Sequence, residues 1–232
     1  MKIMTGCIGM LAASLSFAQM AKVDSSSKDG ANNKVALKSN IWEVFKDRRS
    51  VRQFKPDAIP ESDILKMIDA ARTAPTSGNQ QPWKFLVVRD KDKIAKMKNA
   101  CIDMAMERFE KGDKRETKEA FQERMRSIYG NYFSAPVYII VLTDNRSMYP
   151  DYNHWDGPMA AGYLMLAARA LGYGTVFITD SIPENVTKDM LHIPDNYTRV
   201  CVTPVGIPVE WPVSPPKKKL SEFISFDNLD TN

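Results

Sequence analysis

Five consecutive residues, Arg48-Arg49-Ser50-Val51-Arg52, carry three guanidiniums and one hydroxyl. Arg presents a planar fork of donors and Ser adds a directional one, so the group suits a phosphate. A plainer reading competes, because cations at a helix C-terminus complement its dipole and are usually solvated. A second segment, Ala74 to Trp83 (APTSGNQQPW), offers side-chain donors and acceptors together with free backbone N–H groups. It suits the polar edge of a flat heterocycle, and equally an ordinary connecting loop. A third is the triplet Lys217-Lys218-Lys219, far along the chain.

What is missing narrows the chemistry further. With only two His among 232 residues, a His-rich metal centre is excluded, and a Ser–His–Asp site could use only His154 or His192. No GxGxxG or GxxxxGKS/T string occurs, so neither a Rossmann fingerprint nor a P-loop competes. Neither Cys101 nor Cys201 belongs to a CxxC pair, and both read as core residues. A catalyst of this composition borrows its reactivity from a cofactor. The net charge of +4 comes from 32 basic and 28 acidic residues that are largely intermixed. Such a balance favours solubility and gives no reason to expect a nucleic-acid partner.

The elements that must position these residues follow from periodicity. Asn40 caps a short helix with Ile41, Val44, Phe45 and Arg48 at helical spacing, so the arginines fall at its end. A second helix runs from Glu61 and stops before Pro75, which puts the polar loop between it and a strand over Trp83 to Val88. Asp90 opens a helix through Met104, and residues 107–126 read as an exposed charged helix or lid. Pro136 to Leu142 is a β-branched apolar run expected of a strand buried on both faces. An apolar helix from about Asp156 to Leu171 ends at Gly172, its left-handed terminator. Strands over 174–179 and 199–205 flank a helix over 183–191, and a Pro-rich arm follows Pro208. The fold class is α+β, with one domain over 40–232.

Residues 1–18 have the form of a signal peptide, with Lys2 before an apolar stretch and small residues ahead of a cut at Gln19. Cys7 lies within it. Residues 19–39 are polar and read as a flexible tether. These features point to an exported, periplasmic or otherwise extracytoplasmic protein with no stable membrane span, or to a cytoplasmic one if the start lies at Met20.

Taken together, RRSVRQF (48–54) and AARTAPTSGNQQPWKFLVV (70–88) resemble the start of the flavin-dependent nitroreductase family. GYLMLAARALGYGTVFIT (162–179) and GIPVEWPVSPPKKKLSEF (206–223) continue the resemblance. It implies a central, mostly antiparallel sheet flanked by helices, in an intertwined homodimer with an extended C-terminal arm and FMN at the subunit interface. By the same resemblance, Arg48, Ser50 and Arg52, with Arg49 beside them, hold FMN. Pro75, Thr76, Ser77 and Asn79 reach it from the neighbouring subunit. Lys217 and Lys219 complete the phosphate cage, and Thr179 and Asp180 lie beside the flavin N5 and O4. Many members have Gly or Glu-Gly there, so Asp180 departs from the pattern. The implied activity is ping-pong hydride transfer from NAD(P)H through FMN to a nitroaromatic, quinone or similar flat acceptor. A reductive dehalogenase-like or flavin-fragmenting relative is an alternative, as is a catalytically silent exported FMN-binding protein.

Overall fold

The computed structural model describes residues 40–112 and 116–229. The expected signal peptide and tether lie outside them. In chain order the elements are α1 (Ile41–Asp47), α2 (Glu61–Ala71), β1 (Trp83–Val88), α3 (Lys91–Lys111), α4 (Lys118–Tyr132), β2 (Val137–Asp144), α5 (Asn153–Ala170), β3 (Gly174–Thr175), α6 (Glu184–Leu191) and β4 (Tyr197–Gly206). The four strands pair antiparallel in the order β1-β2-β4-β3.

β2 is the axis of the core, and alternation along it explains the two helical layers. Tyr138, Ile140 and Leu142 face a cluster that includes Ile94, Met97 and Cys101 of α3 and Val186 of α6. Val137 and Ile139 face the opposite way, towards Met67 and Ala71 of α2 and Leu164 and Ala168 of α5. With helices on both faces the strand has no wet side, which is why it reads as a continuous apolar run. The charged stretch expected as one helix or lid is divided between α3 and α4, which pack together through Phe109 stacked on Phe121 at 4.6 Å and a Lys118–Glu110 pair at 2.6 Å.

Several ends fall where the residues dictate. Asn40 accepts the Trp42 N–H, Asp90 those of Asp92 and Lys93, and Thr117 that of Ala120. Gly172 takes φ 85° and the Tyr173 N–H returns to the Ala168 carbonyl, a left-handed helix stop. α5 starts at Asn153, three residues before the expected Asp156, so Pro158 lies inside the helix beyond its first turn, where it withholds one intrahelical N–H. β3 is shorter than expected, yet its register holds: Gly174 faces Gly206, Thr175 faces Val205, and Ile178 still pairs with Val202. Among the described residues no helix is long and apolar enough to cross a membrane.

One close approach fixes where the first motif lies. A Cβ on Gly174 would stand 2.7 Å from Val51 Cγ2 and 2.9 Å from Pro208 Cγ. Gly174→Ala therefore forces Val51 or Pro208 aside and is expected to cost about 1–3 kcal/mol as overpacking. Urea unfolding checks this, and an unchanged midpoint would show that both neighbours yield freely.

Candidate functional site

Val51 is a buried core residue, and strand-like alternation leaves its neighbours Ser50 and Arg52 on the opposite side of the chain, while Phe54 is buried farther along. Backbone pairing holds the segment in place. The Val51 N–H donates to the Thr175 carbonyl at 2.9 Å, Lys55 N–H to Ile207 at 2.8 Å, and Val209 N–H to Gln53 at 3.1 Å. Ser50 thus runs parallel beside β3, while Phe54 runs antiparallel beside Pro208. Residues 50–55 and 207–209, far apart in the sequence, meet here.

Around that junction lie two neighbouring cavities. One of about 330 Å³ is lined by Arg48, Arg49, Ser50, Arg52 and Lys217 with residues 212–215. The other, about 380 Å³, shares Ser50, Arg52 and Pro212 and adds Ile128, Asn131 and Tyr132 of α4. Four cations and a hydroxyl therefore converge on one hollow, beside a second that is mixed apolar and polar. That donor set suits an anion bonded to a flat, amphipathic body. Arg49 also serves the plainer role of capping α1, donating to the Lys46 carbonyl at 2.6 Å and to that of Arg48 at 3.0 Å. Lys219 lines neither cavity. Its N–H donates to Glu222 Oε1 at 2.9 Å, capping the single turn Leu220–Glu222.

Pro75, Thr76, Ser77 and Asn79 line neither cavity either. Their loop is pinned instead to the start of α5. Asp156, 4% exposed, accepts the Ser77 N–H at 3.1 Å on one oxygen and Gln80 Nε2 at 2.7 Å on the other. Gln80 Oε1 accepts the Tyr149 N–H at 2.7 Å, and Thr76 Oγ1 that of Gln81 at 3.2 Å. Within one chain, then, Arg48–Arg52 and Lys217 come together and the 75–79 loop does not join them.

Thr179 and Asp180 sit on an exposed bend after Ile178. The side chain that anchors this bend is Arg199, which sequence reasoning missed. It donates to the Thr179 carbonyl at 2.7 Å, the Pro183 carbonyl at 3.3 Å and Thr187 Oγ1 at 3.1 Å. A β-bulge pairs Leu142 with Arg199 directly after Val141 with Cys201, so Arg199 turns to the α3 and α6 face. Burial holds its guanidinium below the usual range. On the other side of the bend, hydrogen bonding to Ser181, and then to Arg52, holds the Tyr132 phenol below its ordinary value. Tyr132 thereby links the bend to the cationic segment.

Glu210 also lines the second cavity, and among the described residues no thiol or imidazole lines either one. Burial pushes the Cys101 thiol up to about 12 and the Cys201 thiol to about 11, so both stay protonated and inert at neutral pH. His192 caps α6 in a left-handed conformation, and the exposed His154 ring lies 3.9 Å from Trp155. No cluster of metal-binding side chains occurs among the described residues.

Known proteins share this architecture. An iodotyrosine deiodinase of Thermotoga neapolitana is 28% identical over 170 residues, covering 72% of this chain and 88% of its own. A 4-nitrobenzoate reductase of Pseudomonas putida is 27% identical over 190 residues, covering 70% and 83%. The crystal structure of an oxidized iodotyrosine deiodinase bound to FMN and 3-iodo-L-tyrosine superposes with a TM-score of 0.67 at 24% identity, over 82% of this chain and all of that one. The profile of the Nitroreductase family matches residues 45–207, a span that holds the cationic segment, the polar loop and the whole sheet. The chain belongs to the Nitroreductase family.

Proposed function

We propose that this protein is an FMN-dependent oxidoreductase. The observation that carries the reading is the convergence of Arg48, Arg49, Ser50, Arg52 and Lys217, from opposite ends of the sequence, on one 330 Å³ cavity. A phosphate with nearly two negative charges gains from several cations at once and needs no metal there. The adjoining cavity, with Tyr132 and Asn131, has the mixed lining that a flat heterocycle requires. When bound, FMN supplies a two-electron carrier, so that hydride from NADH or NADPH reaches a nitroaromatic, quinone or similar flat acceptor in two separate half-reactions. Arg52, shared by both cavities, places positive charge between the phosphate end and the ring, which favours an anionic reduced ring. Arg199 holds the bend through the Thr179 and Pro183 carbonyls, and the backbone of Thr179 and Asp180 would meet the edge of a ring bound beside it. No histidine lines either cavity among the described residues, and Tyr132 and Glu210 are the titratable side chains beside the second one, where water also reaches.

The polar loop belongs to the same reading through a second subunit. Ile41, Phe45, Met159 and Tyr163 are exposed along an apolar groove of about 590 Å³ between α1 and α5. A second copy seated there removes that surface from water and brings Pro75, Thr76, Ser77 and Asn79 to its partner's FMN. Reductive dehalogenation is the second reading, favoured by the 28% likeness to the deiodinase across most of both chains.

The purified protein is expected to be yellow, or to become so with FMN, and to bleach under anaerobic NADH or NADPH. A chain that stays colourless after incubation with FMN would overturn the proposal. Arg52→Ala should raise the FMN Kd by tenfold or more, on the order of 1.5–3 kcal/mol for a charge-assisted contact. Isothermal titration reads that loss, and 4-nitrobenzoate against 3-iodotyrosine turnover separates the two chemistries.

Phe45, 52% exposed, tests the assembly without touching the core. Phe45→Glu is expected to give a folded monomer by analytical ultracentrifugation with markedly weaker FMN binding. A monomeric wild type that binds FMN tightly would instead show that one chain completes the site.

A further inference from the structure

The two walls of the cation-lined cavity are held very differently. Arg48–Arg52 follow α1 and are locked by Val51 and Phe54 in the core. The other wall, residues 212–217, belongs to a stretch in which every described residue from Val209 to Leu229 is exposed. Within the single chain, burial does not fix Lys217 opposite Arg48 and Arg52, and the contact that does lies at the root of the stretch.

One side chain touches the roots of both walls. Arg169, in the last turn of α5, places its guanidinium carbon 3.8 Å from the centre of the Trp211 ring. The same guanidinium lies 3.7 Å from Asp47 Oδ2, and its side chain is only 11% exposed. Asp47 directly precedes Arg48, and Trp211 directly precedes Pro212. Arg169 itself lines neither cavity.

As a stabilising element this arrangement is poor. The ion pair is long, Nε is buried with no hydrogen-bond partner among the described residues, and Arg49 adds a like charge nearby. Burial therefore holds the guanidinium below its usual range, with Asp47 opposing the shift. A buried cation so weakly compensated is a cost to folding. What the planar group does supply is a flat, charged surface on which an indole can stack while its edge faces a carboxylate.

We infer that Arg169 is a positioning residue for the anion cavity, clamping Trp211 to Asp47 so that Lys217 faces Arg48 and Arg52 across one hollow. The inference rests on the FMN reading and deepens it, since it concerns how the phosphate end is gripped. It predicts a defect confined to the phosphate. Riboflavin, which carries the same ring without that group, supplies the control.

The test is titration of the full chain with FMN and with riboflavin, for the wild type, Arg169→Met and Trp211→Leu. Arg169→Met keeps an apolar stem of similar reach, and Trp211→Leu alters a part-exposed side chain, so a folded variant is available from one side of the clamp or the other. Each variant should lose about tenfold in FMN affinity, equivalent to about 1.4 kcal/mol, with riboflavin affinity unchanged. Equal losses for both ligands, or an FMN-over-riboflavin preference kept by both variants, would overturn the clamp while leaving the flavin assignment intact. A wild type with no preference for FMN over riboflavin would overturn the phosphate reading itself.

Discussion

Three backbone hydrogen bonds organise this molecule: Val51 to Thr175, Lys55 to Ile207 and Val209 to Gln53. They insert residues 50–55 between the edge strand β3 and the chain leaving β4. Each closes a loop of well over a hundred residues, an entropic cost that local contacts cannot offset. It is offset because Val51 and Phe54 enter the core beside Val176 and Ile178. Gly174 and Gly206 make the fit possible, since side chains there would meet Val51 and Phe54. Burial of Val51 thus turns its neighbours Ser50 and Arg52 away from the core, and the cationic cavity is a consequence of that packing.

The elements that position the site were legible where one physical rule governs them. β2 was readable as a doubly buried strand because every residue from Val137 to Thr143 is buried. The end of α5 was readable because Gly172 needs a positive φ. The convergence of Arg48–Arg52 with Lys217 was not in either segment alone; it came from the order and spacing of several motifs. Register inside the Lys triplet was beyond sequence reasoning, since three identical exposed side chains carry no pattern. Lys217 faces the cavity while Lys219 caps a turn, a division set by where Pro215 and Pro216 direct the chain.

Arg199 and Asp156 were missed for a related reason. An Arg in a strand reads as solvent-facing, and the bulge after Val141 moves Arg199 from the face of Cys201 to the α3 and α6 face. A bulge changes parity by one residue and leaves no periodic trace. Asp156 reads as an ordinary first-turn acid, which it is. Its second task, holding Ser77 and Gln80, depends on a loop 76 residues earlier in the chain. Long-range polar contacts of this kind rest on geometry that no local window contains.

The two half-buried arginines, Arg199 and Arg169, show how differently a fold can use the same side chain. Arg199 spends its donors on three oxygens of one bend, so its burial is compensated and the bend becomes rigid. Arg169 meets one distant carboxylate and an aromatic face. Around the cavity, Arg48, Arg49, Arg52 and Lys217 repel one another, by about 1 kcal/mol per pair at 4 Å in bulk water. Contact with solvent, full for Arg52 and Lys217 and partial for Arg48 and Arg49, keeps that repulsion small. An anion reverses its sign. Because such a ligand binds the folded chain and not the unfolded one, its binding energy adds to folding stability. The gain falls mainly on the exposed 209–217 stretch, where the fold's own contacts are fewest. Ligand affinity and order of the second wall are therefore one quantity, set by how well the cations are held in register.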